Sequence, residues 1–131
     1  MSLTREQQRA LTAHKQVAEV PDQYWDKYRT ATLKAQALIR NAGLCQALHF
    51  LQNKDKDKDK EDGSKRLVAD LQAHLKEGRV LKSADLLSEI RQAELPAYLA
   101  ATREALQCLT WQCRMVEAKD QEKKAAAGRR S

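Results

Sequence analysis

Apolar positions recur at three- and four-residue intervals through most of the chain, and the breaks between these runs fall at Pro21, Gly43, a run of alternating charges, Gly78 and Pro96. That interval is the repeat of a helix face rather than the alternation of a strand. The clearest run is Leu44, Ala47, Leu48 and Leu51, with Cys45 and the only Phe, Phe50, widening the stripe. It predicts a buried helix ending near Asn53. Asn41, Ala42 and Gly43 interrupt the run before it, and glycine both tolerates unusual backbone angles and lets another backbone come close. Two helices are therefore predicted to meet at a corner there.

Taken in order, Thr4 and Gln7 have the spacing of a capping box, and Leu3, Ala10, Leu11, Val17 and Ala18 form a sparse stripe. A first helix is predicted to about Val20. Pro21 suits the first turn of a second helix running to about Arg40, with Tyr24, Tyr28, Ala31, Ala35, Leu38 and Ile39 near one face and Trp25 off its centre, either packed against the first helix, the simpler account, or at a subunit contact. Lys54 to Gly63 has nothing to bury and reads as a charged, solvated loop. Ser64 then caps a helix with Leu67, Val68, Leu71 and Leu75 inward, ended by Gly78. Ser83 caps a segment with Leu86, Leu87 and Ile90, continuing to about Ala93. Pro96 opens the longest helix, with Tyr98, Leu99, Thr102, Ala105, Leu106, Leu109, Cys113 and Val116 along one stripe. From about Lys119 the tail has little to bury and is expected to fray.

The predicted class is all-α, an antiparallel bundle of five or six helices in a single domain of 131 residues. Composition agrees, since Gly (4) and Pro (2) are scarce and helix-favouring side chains dominate. Charge adds a second consideration. The net charge of +6 makes an anionic partner plausible, but basic residues are interleaved with acids rather than gathered in one tail. Cys45, Cys108 and Cys113 are odd in number and unaccompanied by a secretory segment, which points to reduced thiols in the cytoplasm. No apolar run approaches the length of a membrane span.

Candidate chemistry is sparse. The Lys-Asp alternation would repel a cation through its lysines and departs from the calcium-loop pattern. Cys45 and His49 stand four apart on one helix face, but a metal would need further ligands such as His14 or Cys108, and a buried thiol beside a surface histidine is the simpler account. There is no glycine-rich phosphate loop and no nucleophile elbow. The sequence thus predicts no enzyme, no cofactor, no metal and no small-molecule substrate. Leu67 to Glu94 could describe a helix-turn-helix DNA reader, but its second helix carries Asp85, Glu89 and Glu94 against Arg91, and phosphates would repel it.

A spread of basic residues is better placed for nucleic acid: Lys27, Arg29, Lys34, Arg40 and Lys54, then Lys65, Arg66, Arg103 and Arg114. Without a cluster of exposed aromatics, contact is expected with backbone phosphates and blind to base sequence. Each of these residues could equally be an ordinary solvated helix face.

Two stretches, Leu38 to Lys54 (LIRNAGLCQALHFLQNK) and Tyr98 to Trp111 (YLAATREALQCLTW), together cover about a quarter of the chain. In order and spacing they resemble the small helical subunit of the Cmr effector complex of type III-B CRISPR systems. The resemblance implies a non-catalytic subunit that stacks with copies of itself beside other Cmr subunits, along the groove that holds guide RNA and target RNA. It makes Gly43, Leu44, Phe50, Tyr98 and Trp111 scaffold, and the two stretches are expected to pack together. It favours Lys54, Arg103 and Arg114 as contacts to RNA or to neighbouring subunits, and the spread of basic residues adds Lys27, Arg29 and Arg40. The alternatives left open are a helical protein adaptor without RNA contact and a DNA-binding regulator.

Overall fold

The first helix begins where Thr4 and Gln7 cap each other. The Thr4 hydroxyl accepts the Gln7 amide hydrogen at 3.1 Å, and Gln7 Oε1 accepts that of Thr4 at 2.9 Å, so two donors left open by the first turn are satisfied. The computed structural model describes residues 2–53, 63–83 and 85–130. Among these the regular structure is helical throughout: α1 (Arg5–Ala18), α2 (Asp22–Ala42), α3 (Leu44–Asn53), α4 (Gly63–Glu77), α5 (Leu86–Gln92) and α6 (Leu95–Arg130). The predicted all-α bundle is what forms. The predicted charged loop, Gly63 excepted, lies outside the described residues.

Side-chain pairs set the helix directions. Arg9 meets Glu104 and Lys119 meets the Val17 and Val20 carbonyls, so α1 and α6 run the same way. Gln36 meets Thr110 and Arg29 meets Asp120, so α2 runs against α6. Arg5 meets Glu77 while Arg66 reaches the Glu19 carbonyl, which sets α1 against α4. Between these helices Tyr28, Leu44, Leu48, Leu67, Leu71, Leu75, Leu86 and Leu109 are fully buried, each worth about 2–3 kcal/mol relative to exposure.

Two glycines allow the closest approaches. Gly43 turns α2 into α3 at φ 88°, ψ 158°, a backbone region costly to any residue with a Cβ. A Cβ on Gly63 would lie 2.2 Å from the Tyr28 nitrogen and 2.7 Å from the Tyr24 carbonyl oxygen, so glycine lets the first turn of α4 lie on the backbone of α2. Gly63 is thus buried and helical, not part of a solvated loop, and Ser64, expected as the cap, is buried inside α4.

Several expectations need correction. Phe50 is 54 % exposed, because it sits half a turn round α3 from Leu48 and points away from the face defined by Leu44, Ala47, Leu48 and Leu51. On α6 the inward face is Ala101, Ala105, Cys108, Leu109, Gln112 and Val116, which turns Leu99 outward. On α1 it is Ala13 and Val17, leaving Leu3 and Leu11 exposed. The tail does not stop being helical at Lys119. Lys119 Nζ donates to the Val17 and Val20 carbonyls at 3.0 and 3.2 Å, and Lys123 pairs with Asp22, so α6 is held against the α1–α2 junction and continues to Arg130.

Candidate nucleic-acid interface

The seam between α2 and α6 is held at its middle by one side chain. Gln36 Nε2 donates to the Leu106 carbonyl at 3.0 Å and to Thr110 Oγ1 at 2.9 Å. Thr110 can accept because its own hydroxyl donates to the Leu106 carbonyl, so its lone pairs face the seam. Nearby, the Cys113 thiol lies 3.5 Å from the Thr32 carbonyl oxygen.

On one side of this clasp the seam opens into a cleft of about 300 Å³ lined by Arg40, Arg103, Leu106, Gln107 and Thr110. Arg40 comes from the last turn of α2 and Arg103 from the third turn of α6, so only the antiparallel packing brings them together. Both are exposed, and neither makes an ion pair with a described residue. Two guanidinium groups sharing a cleft without a carboxylate repel each other, and an anion with oxygens in a plane relieves that repulsion bidentately. Gln107 and Thr110 add neutral polar groups to the same cleft.

On the other side a carboxylate faces the cations. Arg29 Nε lies 3.2 Å from Asp120 Oδ2, and Lys124 Nζ shares that oxygen at 3.4 Å. Lys34 is exposed further along α2 and does not line the cleft. Lys27 stands two positions before Arg29, more than half a turn round α2, beside the backbone contact with Gly63. Arg114 lies on the α6 face shared by Arg103, Gln107 and Thr110, with its guanidinium carbon over the Trp111 ring, 5.3 Å from the centroid. Lys54 lies outside the described residues. The structure therefore places Arg40 and Arg103 on one cleft, sets Arg114 on the α6 face of Arg103, pairs Arg29 with Asp120 and sets Lys27 apart.

Other basic side chains serve the fold. Lys119 and Lys123 lie over the buried Trp25 ring at 4.7 and 5.5 Å, and burial pulls the Lys119 pKa down. A lysine on the last carbonyls of α1 also opposes the negative end of that helix. Arg66 donates to the Glu19 carbonyl at 3.3 Å. These roles depend on contacts between α6, α4 and the end of α1, far apart in sequence.

A second polar cluster is buried. Tyr28 Oη donates to Asp70 Oδ2 at 2.5 Å, Gln112 Nε2 donates to Tyr28 Oη at 2.7 Å, and Gln112 Oε1 faces His74 Nε2 at 2.9 Å. Because the Gln112 nitrogen is turned to Tyr28, its oxygen accepts from His74, which puts the ring hydrogen on Nε2 and leaves the buried Nδ1 without a partner among the described residues. Burial raises the Tyr28 pKa, lifts Asp70 to about 6 and lowers His74. Sequence reading missed His74 and Gln112, whose register beside Leu71, Leu75 and Leu109 was the available signal. Among the described residues no group of three or more His, Cys, Asp or Glu side chains could hold a metal, and no helix is long and apolar enough to cross a membrane.

Residues 5–119 match the family model for the CRISPR-associated protein Cas_Cmr5. The chain is 36 % identical over 116 residues to the CRISPR system Cmr subunit Cmr5 of Thermus thermophilus, covering 88 % of this chain and 95 % of that protein. It also superposes with a TM-score of 0.71 on the crystal structure of a CRISPR-associated Cmr5 family protein from Thermus thermophilus, at 32 % identity and over 88 % of this chain and 97 % of that one. With the helical fold and the family match extending from α1 into α6, the chain belongs to the Cmr5 family of CRISPR-associated proteins.

Proposed function

We propose that this chain is a non-catalytic architectural subunit of a cytoplasmic CRISPR Cmr ribonucleoprotein, acting as one helical unit that contacts guide or target RNA through phosphates at the α2–α6 seam. The observation that carries this reading is the convergence of Arg40 and Arg103 in one cleft with no described acid to neutralise them. A phosphodiester supplies the charge and the paired oxygens that two such guanidinium groups take up. Arg114 extends the same basic face along α6, while Arg29 serves the seam through Asp120.

Contact with other Cmr subunits and with further copies of the chain fits the exposed apolar side chains Phe50, Leu95 and Leu99, which are 54, 67 and 45 % exposed. Apolar side chains of this size are favoured in the cores of protein interfaces. A helical adaptor that binds protein alone would use the same residues and leave the arginine cleft empty of function.

The two readings separate in a salt titration of the full-length protein with single-stranded RNA. The RNA reading expects weak, sequence-blind binding whose logarithm falls linearly with the logarithm of salt, and a slope flattened by about 0.7 for each phosphate contact removed in Arg40→Gln/Arg103→Gln. Binding unaffected by the double substitution, with helicity intact, would favour the adaptor.

A further inference from the structure

The phosphate reading uses the charge of Arg114 but not its contact with Trp111. Trp111 is half-buried, whereas Arg114 is exposed and makes no ion pair or hydrogen bond with a described residue. Its guanidinium is over the indole, 5.3 Å from the ring centroid, within the range of a cation–π contact. The three-residue separation on α6 lets the side chain fold back across the ring. The guanidinium and the indole thus form one cation–aromatic surface on the exposed side of α6.

We propose that this pair is a stacking seat for one unpaired base of single-stranded RNA, with the base lying on that surface. The proposal rests on the RNA reading given above and specifies what its second contact recognises. Guanidinium planes and aromatic rings are the surfaces on which unpaired bases stack in proteins that bind single strands. Arg114 shares its helix face with Arg103, three turns or ~16 Å away along α6. A strand following that face places phosphates at the Arg40–Arg103 cleft and brings a base to Arg114. Lysine at this position would keep the charge but lose the plane.

The test compares two ligands with the same number of phosphates: a labelled single-stranded oligoadenylate and an abasic ribose-phosphate oligomer of equal length, each titrated with the full-length chain at low salt. The native chain is expected to bind the oligoadenylate about tenfold more tightly. Arg114→Lys should bring the two affinities together while leaving the abasic one nearly unchanged. Arg40→Gln/Arg103→Gln should weaken both ligands and preserve their ratio. Equal affinities in the native chain, or a ratio that survives Arg114→Lys, would overturn the stacking seat while leaving phosphate contact intact. Absence of binding to either oligomer would overturn the RNA reading and the seat with it.

Discussion

The Tyr98 hydroxyl accepts the backbone amide hydrogen of Cys45 at 3.0 Å, joining the first turns of α6 and α3 across 53 residues of chain. An ideal Cβ on Gly43 would stand 3.2 Å from the same oxygen. Tyr98 therefore acts as a cap supplied from a distant helix, satisfying a donor that α3 cannot satisfy internally. The two stretches expected to pack together do meet at this bond. Tyr98→Phe removes the acceptor and should cost about 1 kcal/mol. Gly43→Ala should cost about 2 kcal/mol through its backbone angles. Urea midpoints at unchanged m-value measure both.

Glu104 predicts acid sensitivity. Its carboxylate accepts from Arg9 at 2.7 and 2.9 Å and from Arg5 at 2.9 Å, and the hydrogen bonds from Arg9 above all hold its pKa down to about 2 from the ordinary 4.5. A folded-state value below the unfolded one means stability that is present above about pH 4.5 and lost as pH falls through about 2. Glu104→Gln should cost ~3 kcal/mol at pH 7, since it leaves part-buried Arg9 without its acceptor charge and Arg5 with Glu77 alone. Its unfolding free energy should then fall less steeply than that of the native chain as pH drops from about 4.5 to about 2, read by denaturant titration on a pH series.

Asp70 predicts the opposite slope. Burial raises its pKa from 3.8 to about 6 against the hydrogen bond from Tyr28. Its contribution is fully present below pH 3.8 and is lost as pH rises through about 6. Asp70→Asn keeps an oxygen to accept from Tyr28 and removes the buried charge, so above about pH 7 the variant should be more stable by about 1 kcal/mol. Below about pH 4 that advantage should vanish. A difference independent of pH would contradict this account.

Phe50 and Leu48 stand two positions apart on α3 and should respond oppositely to truncation. Leu48 is fully buried, and Leu48→Ala should cost about 2–5 kcal/mol. Phe50→Ser should stay within about 0.5 kcal/mol in the isolated chain. If Phe50 serves subunit contact, the same substitution should reduce recovery of the chain in an assembled complex, measured by copurification.

The residue pattern determined what is local: helices where apolar residues repeat, a start at Thr4, a corner at Gly43, and inward faces on α3 and α4 where the repeat is dense. Those features depend on neighbours a few residues apart, so sequence carries them directly. Tertiary packing decided which flank of a sparsely apolar helix turns inward, as with Leu99 and Phe50, because a stripe of alanines and leucines has no unique centre until another helix covers it. It also decided the fate of each basic residue. Lys119, where fraying is expected, holds the end of α1 and Lys123 pairs with Asp22 at the start of α2, while Arg29 pairs with Asp120 and Arg40 lines one cleft with Arg103. Which cations share a surface without an acid depends on how distant helices pack, and the placing of Arg40 and Arg103 on one cleft is a property of the packed seam between α2 and α6.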